Sequence, residues 1–258
     1  MGKEKLEQTL QSVLSNGDKI FVPYIMAGDG GLDALPEQIN FLAEAGASAI
    51  EIGIPFSDPV ADGPTIQEAG LRALKEGVSL PDVLAKLAET KADRTIPIVI
   101  MTYINPVYAY GVNDFAKQCQ QAGVDGLIIP DLPLEEETLI VPALKEASVA
   151  LVRLAALTSP VERLEEIAKR TEGFLYAVTV TGTTGERAKF AENVGPYLTA
   201  LTALTEKPVL AGFGVSTPEH VELLSQYCHG VVVGSKIVAS LYEGDREQIK
   251  KLMTAAKA

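Results

Sequence analysis

The chain has 258 residues, of which 47% are hydrophobic and 22% are charged, which is ordinary for a soluble globular protein. Its formal net charge of −12 is spread along the sequence without a basic run. This distribution argues against nucleic acid or an anionic membrane surface as the main partner. Residues 1–14 form a charged, amphipathic segment, and no apolar run reaches the length of about 18 residues that a membrane span needs. We therefore expect a cytoplasmic protein with an N-terminal helix and no signal peptide.

The cysteines and histidines are few and far apart. Cys119 and Cys228 lack CxxC spacing, so we expect two reduced thiols in helices and no disulfide framework. His220 and His229 lie beside helix-like segments, and we interpret them as surface or helix-end residues. No metal site is expected.

Along the chain, short apolar runs rich in Val and Ile alternate with longer amphipathic segments. Eight such runs begin at Ile20, Ser48, Pro97, Gly126, Ala150, Phe174, Pro208 and Gly230. The segments between them have apolar residues at helical spacing, for example at residues 35–46, 114–123, 161–170 and 218–227. Continuous apolar strands that each lead into a helix predict a parallel sheet covered by helices.

Eight strand–helix units in about 250 residues predict an α/β protein with a (β/α)₈ TIM barrel. No linker or low-complexity tract interrupts the series, so residues 1–258 are interpreted as a single domain. A doubly wound open sheet is the alternative, because the pattern alone does not show closure.

The second apolar run ends on an unusual acidic segment, residues 51–65. Glu51 lies among apolar neighbours, where loss of water disfavours the charged form and raises the pKa of a carboxyl group. Such a glutamate can both give and take a proton near neutrality. Prolines stiffen the loop that presents Asp58 and Asp62. The alternative is a polar turn in which the two aspartates only bond nearby backbone amides.

Glycines follow the last three apolar runs, at residues 182–185, 212–214 and 234–235. Glycine lets the backbone approach a ligand closely, and amides at the start of a helix can bind a phosphate. In a barrel these loops gather at the carboxyl ends of the strands, so they predict a phosphate site there. The residues proposed for it are Gly185, Gly214, Gly234 and the hydroxyl of Ser235. Each loop alone is compatible with a plain turn.

Several motifs in the same order resemble one known family. The most specific, PFSDPVADGPTIQ, spans residues 55–67, and others lie at residues 21–29, 101–107, 125–136, 176–185, 211–217 and 230–238. Together they make the chain similar, nearly end to end, to the α subunit of tryptophan synthase, an indole-3-glycerol-phosphate aldolase. The resemblance implies cleavage of indole-3-glycerol phosphate to indole and glyceraldehyde 3-phosphate. It also implies no cofactor in this chain and a pyridoxal-phosphate β subunit as partner in an α₂β₂ assembly.

The same resemblance assigns roles to the acidic residues. Glu51 is implied as the proton carrier and Asp62 as the carboxylate that faces the indole N–H. Indole needs an apolar slot, and residues at strand ends are candidates to line it: Tyr24, Met101, Tyr103, Ile128, Leu154, Tyr176 and Phe213. For Met101 and Leu154 plain barrel core is an equal alternative.

Residues 179–190 are rich in Gly and Thr and predict a mobile lid. The resemblance implies that Thr184 reaches Asp62 when the lid closes. Where many family members carry Ser-Arg, this chain has Thr179 and Val180, so an anchoring arginine is missing. The GDGG sequence of residues 28–31 lacks a proline often found there, which we interpret as a local turn variation.

Three proline-stiffened sites at the same face are expected to meet the β subunit: Asp58 and Pro59, Asn105 and Pro106, and Asp131 and Pro133. Solvent-exposed turns are the alternative interpretation. For the chain as a whole, a stand-alone indole-3-glycerol-phosphate lyase, another phosphate-binding barrel enzyme and a non-catalytic activator of a partner remain open. A sugar-phosphate isomerase would need its own acid–base pair, and no Lys or His lies at a strand end to supply one.

Overall fold

The computed structural model describes residues 2–179, 187–212 and 214–257, with side chains of the helix starting at residue 187 described from Val194 onward. Eight strands lie in these ranges. They are β1 (Ile20–Met26), β2 (Ile50–Gly53), β3 (Ile98–Met101), β4 (Gly126–Ile128), β5 (Ala150–Ala156), β6 (Leu175–Val178), β7 (Val209–Gly212) and β8 (Gly230–Val233). Each falls within one of the eight apolar runs.

The strands form a closed parallel barrel in chain order. Every strand pairs with the next, and β8 closes the sheet on β1, with Ile20 opposite Gly230. The predicted (β/α)₈ barrel is confirmed, and the doubly wound sheet is wrong. Closure brings the carboxyl ends of all eight strands to one face, so residues distant in sequence become neighbours there.

Twelve α-helices in the described ranges surround the barrel. They are α1 (Gly2–Ser15), α2 (Leu35–Glu44), α3 (Pro64–Lys75), α4 (Leu80–Glu89), α5 (Ile104–Tyr110), α6 (Val112–Ala122), α7 (Val141–Ala147), α8 (Val161–Arg170), α9 (Arg187–Leu204), α10 (Pro218–Ser225), α11 (Ser235–Glu243) and α12 (Arg246–Thr254). Short 3₁₀ turns occupy Leu32–Ala34, Lys91–Asp93 and Leu134–Leu139. None of these helices has the length and apolar composition needed to cross a bilayer.

Side chains alternate between two apolar layers along each strand, as the pleat requires. One layer fills the barrel interior and includes Ile20, Val22, Val99, Ile128, Val152, Phe174, Leu210 and Val232. The other packs between sheet and helices and includes Phe21, Ile50, Ile98, Leu127, Leu151, Leu175, Val209 and Val231. The interior is therefore a packed core and not a channel.

Helix α1 covers the amino end of the barrel. Its Leu6 and Leu10 are fully buried in the interior layer. Added Cβ atoms at Gly126 and Gly173 would lie 3.1 and 2.7 Å from Leu6 Cδ2, so the small residues admit this side chain. Lys5 adds an ion pair to Asp125, with Nζ and Oδ2 3.6 Å apart. The expected N-terminal helix is thus part of the barrel's packing.

Two details of the sequence interpretation are wrong. Asn105 and Pro106, expected in a loop, lie in the first turn of α5, where a proline is tolerated because N–H groups there have no helical acceptor. Cys228 lies in the turn after α10 and not in a helix. Both cysteines are free and buried, as expected for reduced thiols. His229 is half-buried, and its Nδ1 accepts a hydrogen bond from the Val209 N–H at 3.0 Å.

The backbone conformation of residues 28–31 explains why this turn has no proline. Gly28, Gly30 and Gly31 have φ angles of 84°, 86° and 91°, a region that a proline ring does not reach. Asp29, between them, accepts two hydrogen bonds from Arg72, from Nε at 2.6 Å and from Nη2 at 2.8 Å.

Candidate active site

Glu51 lies in β2 with its side chain almost completely enclosed, at 1% exposure. Its Oε2 has no hydrogen-bond partner in the part of the chain that the structure describes. Burial, followed by the charge of Asp62, raises the pKa of Glu51 to about 8. The predicted burial and the predicted direction of the pKa shift are both confirmed, and Glu51 keeps its proton at neutral pH.

Asp62 lies in the loop that leads from β2 to α3. A turn holds the loop, because the Asp62 N–H donates to the Pro59 carbonyl at 3.0 Å and Gln67 Nε2 donates to the Asp62 carbonyl at 2.8 Å. Burial raises the pKa of the Asp62 carboxyl to about 6, and a hydrogen-bonding interaction with the Tyr103 hydroxyl opposes the rise. At pH 7 this group is therefore mostly ionised.

The two carboxyl groups thus have pKa values on opposite sides of neutrality. Such a pair presents a protonated acid and a carboxylate in one site, which is the arrangement that separates the roles of two acids in catalysis. Burial is the main cause of the raised pKa at Asp62. That the two carboxyl groups carry out acid–base chemistry, and that Asp62 does more than hold a turn, stay predictions.

Tyr103 holds the acidic loop in place. Its hydroxyl accepts a hydrogen bond from the Ala61 N–H at 3.1 Å, one residue before Asp62, and its ring lies 5.3 Å from that of Phe56. The Asp131 carboxylate secures the next residue by accepting from the Ile104 N–H at 3.0 Å. The sequence suggested Tyr103 only as a wall of the indole slot. Its contact to the loop was missed, because no local pattern shows which turn a strand-end tyrosine will reach.

Two further tyrosines lean over glycines of the neighbouring strand. An added Cβ at Gly53 would lie 1.8 Å from the Tyr24 hydroxyl oxygen, and one at Gly212 would lie 2.4 Å from that of Tyr176. Both positions must therefore remain glycine for the rings to fit. Burial and the nearby carboxyl groups raise the pKa of each phenol well above its usual value, so both stay protonated.

The remaining slot candidates lie above or within the interior layer. Ile128 is 1% exposed and belongs to the core itself. Met101 and Leu154 are half-buried and pack against that core from the carboxyl end. Their contact with the core fits the barrel-core interpretation, and a place in the indole slot stays a prediction for both. Phe213 lies outside the described residues, as do Val180, Thr184, Gly185 and most of the predicted lid.

The glycines of the predicted phosphate loops differ in the space around them and in their backbone conformation. Gly234 directly precedes α11, and an added Cβ would meet only Tyr24 Cβ at 3.7 Å and Ile66 Cδ1 and Tyr24 Cγ at 3.9 Å. Gly214 has a φ of 80°, which other residues rarely adopt. Ser235 is exposed in the first turn of α11. Beside them, Thr179 Oγ1 donates to the Gly212 carbonyl at 2.7 Å and ties the ends of β6 and β7 together.

The expected partner-facing residues lie on loops and a helix start near this face. Asp58, Asn105 and Pro133 are exposed, and Pro59, Pro106 and Asp131 are half-buried. Asp58 accepts a hydrogen bond from the Ser57 hydroxyl at 2.6 Å. Val60, in the same loop, is 82% exposed. The sequence interpretation did not include Val60, although an apolar residue between Pro59 and Asp62 was visible.

Within residues 2–179, 187–212 and 214–257, no three His, Cys, Asp or Glu side chains are grouped so as to hold a metal ion. That the site works without a metal or cofactor remains a prediction. One buried charge outside the site was not foreseen: Arg153, in β5, donates to both carboxylate oxygens of Glu137, at 2.5 and 2.8 Å.

Comparison with known proteins points to the same family as the sequence motifs. The family model for the tryptophan synthase alpha chain matches residues 10–258. The tryptophan synthase alpha chain of Oceanobacillus iheyensis is 56% identical over 253 residues, covering 98% of this chain and 97% of the relative. That of Bacillus cereus is 53% identical over 257 residues, covering 100% and 98%. The crystal structure of tryptophan synthase subunit alpha from Legionella pneumophila superposes with a TM-score of 0.88 at 30% identity, covering 98% of both chains.

Proposed function

The chain belongs to the tryptophan synthase alpha chain family, and from this premise we propose that it cleaves indole-3-glycerol phosphate to indole and glyceraldehyde 3-phosphate. The observation that carries the proposal is the buried Glu51 carboxyl, with one oxygen unpartnered, beside a second carboxyl of lower pKa. An unpartnered buried acid is costly to keep. Its place at the carboxyl end of the barrel is where enzymes of this fold carry out their chemistry.

In the proposed reaction, Glu51 moves one proton in each direction. Its carboxylic acid first donates a proton to C3 of the indole ring, which leaves a positive charge at the ring nitrogen. The resulting Glu51 carboxylate then takes the proton from the hydroxyl on the attached carbon. That carbon becomes an aldehyde, the carbon–carbon bond breaks, and its electron pair returns to the ring. Glu51 is protonated again at the end, so no other proton donor is required.

We assign Asp62 to the indole nitrogen. Its ionised carboxylate would stabilise the positive charge that develops there, an effect that is large in a site shielded from water. The Tyr103 contacts to Ala61 and Asp62 hold this carboxylate in position. Met101, Leu154 and Tyr176 are proposed to line the apolar slot, with Ile128 beneath them.

The phosphate is proposed to bind at the backbone of Gly214 and Gly234 and at Ser235, together with Gly185. The support is the start of α11, where free N–H groups and the helix dipole favour an anion. Because a Cβ at Gly234 meets no atom closer than 3.7 Å, Gly234→Val can fold and still obstruct a bound phosphate. We expect it to weaken glycerol phosphate binding and leave indole binding unchanged.

The test of the activity is release of indole from indole-3-glycerol phosphate by the purified chain. We expect turnover by the wild type and a loss of about 100-fold in Asp62→Asn, because removal of a preorganised electrostatic contact typically costs this much. Substrate binding by Asp62→Asn should be nearly unchanged, since the charge matters in the cationic intermediate. Absence of indole from the wild-type reaction, alone and with a β subunit, would contradict the proposal.

We further propose a β subunit as partner, in an α₂β₂ assembly, docking on the surface formed by Asp58, Pro59, Asn105, Pro106, Asp131 and Pro133. Proline-stiffened segments lose little entropy on binding, and the exposed Val60 lies among them as an apolar anchor.

Size-exclusion chromatography at micromolar concentration, with a matched β subunit, tests this docking surface. Val60→Asp should weaken the complex at least tenfold. Leu71→Asp is the matched control, since Leu71 is an exposed apolar residue of α3 and not part of the acidic loop. Equal behaviour of the two variants would place the interface elsewhere.

A further inference from the structure

Tyr24 stands directly beside the proposed acid. It lies in β1, is 5% exposed, and its Cα is the partner of the Glu51 Cα in the β1–β2 pairing. Its ring extends toward the carboxyl end, where its hydroxyl covers Gly53, two residues beyond Glu51. The hydroxyl group therefore sits at the level of the reacting site and not in the core below it.

The other side of Tyr24 faces the proposed phosphate loop. A Cβ at Gly234 would lie 3.7 Å from Tyr24 Cβ and 3.9 Å from Tyr24 Cγ. Tyr24 thus occupies the space between the start of α11 and Glu51. A substrate whose phosphate lies at Gly234 and whose scissile bond lies at Glu51 must run its glycerol chain past this residue. This position gives Tyr24 a second candidate role beside the apolar slot, toward the glycerol chain of the substrate.

The hydroxyl is suited to donate a hydrogen bond. Burial and the charges of Asp62 and Glu51 raise its pKa well above the usual value, so it stays protonated. Tyr24 is only 5% exposed, so its hydroxyl is largely shielded from water. A shielded hydroxyl at a ligand site gains from a ligand group that accepts its hydrogen bond.

We propose that the Tyr24 hydroxyl donates a hydrogen bond to the middle hydroxyl of the substrate's glycerol chain. This inference rests on the proposed function and adds a specificity determinant to it. The first hydroxyl of the chain gives its proton to Glu51, and the third carbon carries the phosphate, which leaves the middle hydroxyl opposite Tyr24. That hydroxyl keeps its bonds throughout the reaction. The contact is thus equal in ground state and transition state, which affects KM and not kcat.

The test compares two small ligands that differ only in this hydroxyl: glycerol 3-phosphate and the monophosphate of 1,3-propanediol. Their dissociation constants are measured by calorimetry with the wild type and Tyr24→Phe, which keeps the ring over Gly53. We expect the wild type to prefer glycerol 3-phosphate by about 3–10-fold, the range of one neutral hydrogen bond. Tyr24→Phe should bind the two ligands equally.

Tyr176→Phe is the matched control, since Tyr176 leans over Gly212 in the same way, whereas the atoms nearest to a Cβ at Gly234 belong to Tyr24 and Ile66. It should keep the wild-type preference. A preference retained in Tyr24→Phe, or lost equally in Tyr176→Phe, would overturn the inference.

Kinetics with indole-3-glycerol phosphate provide the second readout, in which Tyr24→Phe should raise KM by about the same factor with kcat unchanged. A lowered kcat with unchanged KM would also overturn the assignment. Ligand binding does not depend on turnover. If the wild type discriminates the two ligands but releases no indole, the proposed function fails while the Tyr24 contact stands.

Discussion

Glu51 and Glu137 are both buried glutamates, at 1% and 5% exposure, yet their surroundings are opposite. Both oxygens of Glu137 accept hydrogen bonds from the Arg153 guanidinium, at 2.5 and 2.8 Å, and Arg170 lies 3.6 Å away. Glu51 has a second carboxyl nearby instead of a cation, and one of its oxygens has no partner among the described residues. Burial alone therefore does not distinguish the two glutamates. The lack of a compensating cation is what singles out Glu51 as the candidate acid.

The difference follows from the faces of the strands. Arg153 alternates with Val152 and Leu154, which contact the barrel interior, so it points toward the helix layer and meets Glu137 there. Glu51 points into the barrel, where tyrosines and Asp62 surround it. The Arg153–Glu137 pair links β5 to the 3₁₀ turn outside the barrel, whereas Glu51 keeps its proton inside it.

The largest expected effect is on turnover. Glu51→Gln keeps the shape of the side chain but cannot carry a proton, so we expect kcat for indole-3-glycerol phosphate to fall by about 10²–10⁴-fold. Its free energy of unfolding at pH 7 should not decrease, because a neutral amide replaces a buried, protonated acid. Stopped assays of indole and urea denaturation measure the two quantities. More than a tenth of wild-type activity in this variant would remove Glu51 from the mechanism.

The opposite result is expected at the second glutamate. Glu137→Gln leaves the buried Arg153 charge uncompensated, which should lower the free energy of unfolding by about 3 kcal/mol. Turnover below the unfolding transition should stay within about threefold of the wild type, since Glu137 contacts no reacting group.

Replacing both Glu137 and Arg153 separates the effect of the charges on stability from the effect of packing. The double variant Glu137→Leu with Arg153→Met should recover much of the lost stability, because an apolar pair needs no compensation. If Glu137→Gln instead lowered turnover as strongly as Glu51→Gln, the distinction between the two regions would collapse.

A pH series of unfolding measurements tests the protonation state of Glu51. The folded chain keeps the Glu51 proton up to a pKa of about 8, whereas the ordinary pKa of a glutamate is 4.5. Between these pH values the folded state binds more protons than the unfolded state, so this group's contribution to stability falls as pH rises, by at most about 1.4 kcal/mol per pH unit. The wild type should therefore lose stability relative to Glu51→Gln between pH 5 and 8. A difference that stays constant across this range would refute the raised pKa.

The smallest effect is expected from the residue that positions the acidic loop. Tyr103→Phe removes the acceptor of the Ala61 N–H and the contact to Asp62. We expect kcat to fall by about tenfold, in line with the loss of one hydrogen bond to a charged group at about 1.5 kcal/mol. The pH dependence of kcat/KM provides an independent measurement. Without Tyr103, which opposes the rise in the Asp62 pKa, the acidic limb of kcat/KM should move to higher pH; an unmoved limb would argue against the positioning role.

Much of the barrel could be predicted from the sequence, because each strand is a continuous apolar run and each run leads into a segment with helical spacing. The burial of Glu51 follows for the same reason. That residues 1–258 form one domain stays a prediction.

The features that could not be predicted from the sequence depend on contacts between residues that are distant in the chain. Arg153 interrupts an apolar run, and nothing near it in the chain indicates that Glu137 lies opposite. Tyr24, Tyr103 and Tyr176 look alike at strand ends, yet one meets Gly234, one meets Ala61 and one meets Gly212. Such roles emerge only when closure of the sheet brings the strand ends together, since side-chain reach across strands has no sequence signature.

Helix α1 packs across the amino end of the barrel, which bears on where small molecules enter and leave. In the part of the chain that the structure describes, Leu6 and Leu10 fill that end of the barrel axis. Substrate and products are therefore expected to pass through the opposite end, around which Asp58, Asn105 and Pro133 are exposed. If the proposed β subunit docks on that rim, it would cover the end of the barrel from which indole leaves.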